Sequence, residues 1–334
     1  MNMTEDMLDY LKRESIIFEQ EIERAIPRNK KPWEVYGIVW EHLDLGGKRL
    51  RPILCKLSCE AVGGDGKKAI PAGTAIEMFH NFTLIHDDIE DSSEMRRGKP
   101  CIYKRYGVPL AINAGDGLFM MVTQETLNLE LPPEQIIEVQ RVLFNAFSKV
   151  LEGQAIELNW YRLNNFNITE KEYFDMVSGK TGALISASCE VGALVGGAHG
   201  DKRGALAEFG MDIGLAFQIQ DDVLNLVGAE EKYGKEIGGD ISEGKRSLIT
   251  IYALAHANPA DKKELIRILG ARTKDKALIE KAIQICKKTG AIDYASKRAK
   301  ELVDEAKRKL HALPDNEARR RLAQLADFFV YREV

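Results

Sequence analysis

The amino-acid sequence predicts an all-α fold, a single-domain helical bundle over residues 1–334 with a central active-site cavity. Apolar residues recur at helical spacing through most of the chain. No stretch reads as a convincing strand, a repeat or an interdomain linker. Two mostly apolar helical segments also carry acids, which a plain core helix would exclude.

Taken in order, residues 4–25 form an amphipathic helix that Pro27 ends, with Met7, Leu8, Leu11, Ile16, Ile17, Phe18, Ile22 and Ala25 as candidates for its buried side. A short helix over 33–43 leads to Gly46-Gly47, which lets the backbone turn sharply before Lys48-Arg49-Leu50-Arg51-Pro52 opens the next helix. That helix start, with Lys48 and Arg51 beside it, is a candidate anion site, although in isolation solvated basic residues on a glycine turn explain it better. A helix over 68–91 follows, then a loop over 92–104 that holds Arg96 and Arg97. Residues 110–129 make a core helix in which Asp116 is the unexpected acid, and Pro132-Pro133 starts another that runs to about Leu163. Met120, Met121, Phe144 and Phe147 read as core. Between Tyr173 and Gly200 the helical pattern contains Lys180-Thr181-Gly182, where the glycine permits a kink. A helix from Asp201 to Leu226 precedes the glycine-rich stretch 228–245, whose Lys232, Lys235 and Lys245 suit a lid over a charged substrate. The remaining segments, near 247–258, 261–270, 274–288, 291–312 and 315–330, are packing helices.

The chain is long enough, and at 45% hydrophobic residues apolar enough, for a sizeable core. A net charge of -4 gives no bulk attraction for nucleic acid. Five cysteines in mostly apolar surroundings read as reduced thiols of a cytoplasmic protein. The first 24 residues are too charged for a signal peptide, and no run reaches the roughly 18 apolar residues of a membrane span.

The chemistry concentrates in Phe79-His80-Asn81-Phe82-Thr83-Leu84-Ile85-His86-Asp87-Asp88-Ile89-Glu90-Asp91, with Arg96-Arg97 close behind. Asp87 and Asp91 lie one turn apart on one helix face, and so dense a set of carboxylates is costly without cations. Oxygen-only ligands with open positions suit Mg²⁺ shared with a substrate phosphate, and a guanidinium pair completes a diphosphate clamp. Two alternatives stay open on this stretch alone: a solvated acidic helix end, and a His86-Asp87 metal-phosphohydrolase dyad, which would need further histidines from a total of six. A second set, Gln218, Asp221, Asp222 and Asn225, falls at i, i+3, i+4 and i+7 on a helix whose other positions, such as Phe217, Ile219, Val223 and Leu224, are apolar. Two acid-bearing helices of this kind could face each other across a cavity and hold several metal ions.

With these motifs in place the chain resembles the trans-isoprenyl diphosphate synthases, the family of farnesyl and geranylgeranyl diphosphate synthases. The resemblance covers nearly the whole length and rests on Gly46-Gly47-Lys48-Arg49-Leu50-Arg51-Pro52, Asp87-Asp88-x-x-Asp91 with Arg96-Arg97, Lys180-Thr181-Gly182, the box from Gln218 to Asn225, and Gly234-Lys235 through Asp240 to Gly244-Lys245. It implies head-to-tail condensation of isopentenyl diphosphate with an allylic diphosphate. Lys48, Arg51, His80 and Arg97 then bind the first substrate, and Asp87, Asp91 and Asp221 hold several Mg²⁺ ions on the second. Arg96, Lys180, Lys235 and Lys245 neutralise the departing diphosphate, Thr181, Gln218 and the Lys180 carbonyl steady the allylic cation, and Asp88 and Asp222 support or bridge. Asn225 stands where the family more commonly has Asp. The terminal Tyr331-Arg332-Glu333-Val334 matches a tail that can reach the active site, and the family implies a homodimer.

Product length is expected to be set below Asp87 by Phe79, Phe82 and Thr83. Thr83 and Phe79 lie at depths of ~6 and ~12 Å by helical rise. An aromatic at the fifth but not the fourth position before the box, with no insertion inside it, is similar to archaeal geranylgeranyl synthases and implies a twenty-carbon product, with farnesyl diphosphate as the alternative. The rivals are a class I terpene cyclase, which would not need Lys48, Arg51, His80 and Arg97, and a regulatory subunit of a heteromeric synthase, which would usually lack some of the acids.

Overall fold

The computed structural model describes residues 3–227 and 237–331. Helices dominate, and the expected boundaries hold closely: α1 Met3–Ala25, α2 Trp33–Leu43, α3 Leu50–Ala61, α4 Ile70–Glu90, α5 Ile102–Tyr106, α6 Val108–Leu127, α7 Pro133–Arg162, α8 Glu170–Val177, α9 Ala183–Val195, α10 Asp201–Val227, α11 Gly239–Glu243, α12 Leu248–His256, α13 Pro259–Ala271, α14 Lys276–Lys288, α15 Ala291–Lys309 and α16 Glu317–Tyr331. The expectation of no strand needs correction. β1 Met95–Arg96 and β2 Lys99–Pro100 pair antiparallel, with Met95 opposite Pro100 and Arg96 opposite Lys99. Arg97 (φ 49) and Gly98 (φ 79) form the two-residue turn, which needs positive φ at both positions. Arg-Gly is not one of the usual turn pairs, so the sequence reads as loop.

The described residues pack as two compact units. Unit 1 comprises residues 1–144, 187–204 and 313–322. In it α4 lies against α3 and α6, and α2 packs on α6. Phe18, Ile22, Ile38, Leu54, Ile76, Phe79 and Leu118 are almost wholly buried there. Of the residues proposed for the buried side of α1, Met7, Leu11, Phe18 and Ile22 are inside, whereas Leu8 and Ile16 face solvent. Met121 and Phe147 are core as expected, but Met120 is 55% and Phe144 37% exposed. Periodicity alone could not separate those two, because α6 and α7 are apolar on more than one face.

Unit 2 comprises residues 145–186, 205–312 and 323–334. Here α12 packs on α15 through stacked Tyr252 and Tyr294, whose ring centroids are 4.2 Å apart, and α13 to α15 pack in sequence. All five cysteines are buried and free. The break expected at Lys180-Thr181-Gly182 is a π-helical turn, Ser178–Gly182, between α8 and α9. Such turns mark sites where a helix spends regularity on function. Here the turn is held against α7 by two glycines: a Cβ on Gly153 would strike the Lys180 backbone nitrogen and sit 2.8 Å from the Met176 carbonyl, and one on Gly179 would sit 2.7 Å from the Lys149 carbonyl. Backbone cannot yield as a flexible side chain does. Gly153→Ala is therefore expected to cost about 3 kcal/mol, at the upper end of overpacking penalties, read as a lowered urea midpoint at unchanged slope.

Candidate active site

In unit 1 the acids Asp87, Asp88 and Glu90 occupy the last turn of α4, Asp91 is its C-cap, and no basic residue lies in that turn. The negative end of the helix dipole repels them, so cations must come from elsewhere. One comes from the hairpin. Asp88, 2% exposed, takes Arg96 Nε at 2.8 Å and Nη2 at 2.7 Å on the same oxygen, while Asp87 lies 3.9 Å from Arg96. Arg96 thereby stays charged despite its burial, and its pKa is raised through Asp88. The His86 ring leans on Phe82, 4.7 Å away, and its Nε2 is 3.6 Å from Asp116 on α6.

Beside the acids is a cationic neighbourhood. Gly46 (φ 77) and Gly47 (φ 148) make the turn, and Arg49 adopts φ 48 as the N-cap of α3. Arg49 is buried with Nη1 2.9 Å from Glu77 and Nη2 donating to the Leu43 carbonyl at 3.3 Å. Lys48 is exposed and Arg51 half-buried. Burial, reinforced by Arg51, Arg97 and Arg96, holds the His80 imidazole well below its usual pKa. Burial likewise lowers His42 to about 3, with Arg96, Arg97 and Arg49 adding to the drop and a hydrogen bond with Asn81 opposing it. Sequence reasoning missed His42, Arg49, Glu77 and Asn81. A signal existed, since Glu77, Asn81 and Asp88 recur at i, i+4 and i+11 on one face of α4, all buried.

Below Asp87 the expected length-setting residues are together. Phe79 and Phe82 are buried, their centroids are 5.5 Å apart, and the Thr83 hydroxyl donates to the His80 carbonyl at 2.7 Å. Phe119 of α6 joins them, 6.1 Å from Phe79 and 5.3 Å from Phe82. Nothing in the spacing of α4 could reveal a ring arriving from another helix.

In unit 2 a hydrogen-bonded chain runs from the π turn to the second acid set. The Thr181 hydroxyl donates to Gln218 Oε1 at 3.1 Å, and Gln218 Nε2 donates to Asp222 Oδ1 at 3.0 Å. Lys245 Nζ meets the same Asp222 oxygen at 2.7 Å and Asp240 at 3.3 Å, and the Tyr173 hydroxyl reaches Asp222 Oδ2 at 3.4 Å. Burial raises Asp222 to about 6 against the pull of Lys245, with Asp240 adding to the rise. Two carboxylates share one ammonium, and Lys245 stays protonated, its pKa raised by Asp222 and Asp240 in spite of burial. Lys180 is paired with Glu157 at 2.5 Å. Burial alone would raise the Glu157 carboxyl, yet Lys180 holds it below its ordinary value. Glu157 and Tyr173 were not foreseen. Asn225 does structural work: its amide oxygen accepts the Asp240 N–H at 2.9 Å and its carbonyl accepts Gly238 N–H at 2.8 Å. Lys232, Lys235 and Arg332 lie outside the described residues.

Among the described residues no three His, Cys, Asp or Glu side chains form a complete metal cage. Magnesium shared with a diphosphate asks the protein for only one or two carboxylates, and a run of acids closing a helix whose own last turn holds no basic residue fits that demand.

The buried imidazole sets a pH dependence. Unfolded His42 binds a proton below about pH 6.5 while folded His42 does not until about pH 3, so the stability it contributes is complete above 6.5 and declines as the pH falls through that window. Between pH 7 and 5 the decline is about 2 kcal/mol. His42→Gln is expected to flatten that part of the urea-stability profile.

The profile of the polyprenyl synthetase family matches residues 33–286. A short chain isoprenyl diphosphate synthase of Methanothermobacter thermautotrophicus is 42% identical over 294 residues, 88% of this chain and 89% of that one. The solved structure of a geranylgeranyl pyrophosphate synthetase from Pyrococcus horikoshii superposes with a TM-score of 0.93 at 40% identity, covering 98% of this chain and 99% of that one. A polyprenyl synthase from Caulobacter crescentus, solved with calcium and isoprenyl diphosphate, superposes with a TM-score of 0.87 at 31% identity, with 98% of each chain covered. The motifs, the all-α fold and these likenesses agree: the chain belongs to the polyprenyl synthetase family.

Proposed function

We propose that this enzyme condenses isopentenyl diphosphate head-to-tail with an allylic diphosphate and makes geranylgeranyl diphosphate. The observation that carries the reading is the pair of acid sets, each near the C-terminal end of a helix with no basic residue in its last turn. The names of the Methanothermobacter and Pyrococcus relatives support the same chemistry. In this reading residues 1–334 work as one synthase domain, and both acid sets serve one leaving group.

Asp87, Asp91 and Asp221 would hold Mg²⁺, and the calcium named in the Caulobacter structure supports a divalent ion. Bound there, such ions supply positive charge to the departing diphosphate. Arg96, Lys180, Lys245 and, from the segment not described, Lys235 add fixed cationic charge as the allylic C–O bond breaks. The Thr181 hydroxyl, Gln218 and the Lys180 carbonyl steady the carbocation. Lys48, Arg51, His80 and Arg97 anchor isopentenyl diphosphate, whose double bond attacks the cation to form the new C–C bond, and a proton then leaves to the released diphosphate. Phe79, Phe82, Thr83 and Phe119 stop the growing tail.

Exposed Met120 and Leu127 on α6, and Ile137 and Leu151 on α7, support a homodimer. Sedimentation equilibrium is expected to give about 75 kDa, twice 37.4 kDa, and Met120→Glu with Leu127→Glu to shift the protein toward monomer. Five buried, free cysteines support a reducing compartment, and on that ground we place the enzyme in the cytoplasm.

Labelled isopentenyl diphosphate with Mg²⁺ and dimethylallyl, geranyl or farnesyl diphosphate tests the function. The expected product is the twenty-carbon diphosphate, abolished by chelation. A fifteen-carbon product would establish the farnesyl reading, and hydrocarbon from a lone prenyl diphosphate would establish a cyclase. Phe82→Ala is expected to lengthen the product, and an unchanged chromatogram would refute the placement of the stop.

A further inference from the structure

Three guanidiniums, Arg49, Arg96 and Arg97, crowd the isopentenyl diphosphate end of unit 1, and their partners differ. Arg96 is taken by Asp88 at 2.7 Å and Arg49 by Glu77 at 2.9 Å. Among the described residues Arg97 has no ion pair; its side chain is exposed, and partial desolvation, then Arg49 and Arg96, lower its pKa against the opposing pull of Glu77. Its guanidinium lies on Gly47, with Nη2, Nη1 and Cζ 3.0, 3.1 and 3.3 Å from where a Cβ would be. Glu77 is only 4% exposed and is itself fixed by Asn81, whose Nδ2 donates to the Glu77 carbonyl at 2.8 Å and to its Oε1 at 3.2 Å.

We infer that Glu77 is a positioning residue for isopentenyl diphosphate: fixed by Asn81, it immobilises Arg49 and leaves Arg97, which lies on Gly47, as the one guanidinium of the three that remains available to the diphosphate. This rests on the assignment of Arg97 to that substrate. The physical need is plain. Three like charges brought together in protein repel, and a buried guanidinium without a carboxylate either draws solvent in or moves away. A carboxylate fixed on α4 cancels one of them inside the protein, so the Gly46–Arg49 turn stays closed before substrate arrives. Preorganisation of this kind appears as substrate affinity, not as chemistry.

The test is steady-state kinetics of Glu77→Gln, which keeps the shape and removes the charge. The KM for isopentenyl diphosphate is expected to rise tenfold or more, with kcat and the KM for the allylic substrate within twofold of wild type. Unchanged KM values, or both raised alike together with a lowered melting temperature, would overturn the inference. Should Glu77→Gln fail to fold, Asn81→Ala gives the second reading, because it removes the two hydrogen bonds that fix Glu77 and keeps both charges of the buried pair. It too is expected to raise the KM for isopentenyl diphosphate selectively, and an unaltered value counts against the inference. Arg97→Ala separates the layers: if it leaves that KM unchanged, the assignment of Arg97 itself fails, whereas a raised KM there with a silent Glu77→Gln rejects the positioning role alone.

Discussion

Carboxylates gathered at the C-terminal ends of buried helices are the constraint from which most of the rest follows. Asp87, Asp88, Glu90 and Asp91 finish α4, and Asp221 and Asp222 lie in the last two turns of α10, where the helix dipole disfavours negative charge. The chain offsets part of this with cations brought from outside those helices: Arg96 from the hairpin to Asp88, and Lys245 from beyond α11 to Asp222. Arg96 also lies 3.9 Å from Asp87, so the hairpin cation serves two neighbouring acids of its set. Such a balance suits a site whose remaining charge is supplied with the substrate.

The same economy explains several local irregularities. The hairpin exists to carry Arg96 and Arg97, and its turn needs positive φ at Arg97 itself. The π turn at Ser178–Gly182 carries Lys180 and Thr181, and Gly153 and Gly179 let α7 approach its backbone. Asp222 then joins Lys245, Gln218 and Tyr173, so that acid, cation and the Thr181–Gln218 relay are mutually fixed. A buried network with its members paired is rigid, because each alternative arrangement strands a polar group.

Apolar side chains of α4 and α6 fall into a buried and an exposed group. Phe79, Phe82 and Phe119 close on one another beneath Asp87. Met120, next in sequence to Phe119 and so about 100° further round α6, is exposed. One helix thus contributes to the aromatic cluster with one residue and to exposed apolar surface with the next, which is why its pattern reads as core throughout.

The sequence by itself determined the helical class, nearly every helix boundary, both acid sets, the break at Lys180-Thr181-Gly182 and the family, because each is written in local periodicity or contiguous motif. Glu77, Asn81 and Asp88 also sat in plain view as a polar stripe, although only the last was used. Tertiary structure alone decided which cation meets which acid: Arg49 with Glu77, Arg96 with Asp88, Lys180 with Glu157 and Lys245 with Asp222. It also decided that Asn225 anchors the backbone at the start of α11, that Phe119 joins the Phe79–Phe82 aromatic cluster and that Met120 lies outside. Ion pairing and ring packing depend on distance in space between residues far apart in the chain, and no helical period encodes that distance.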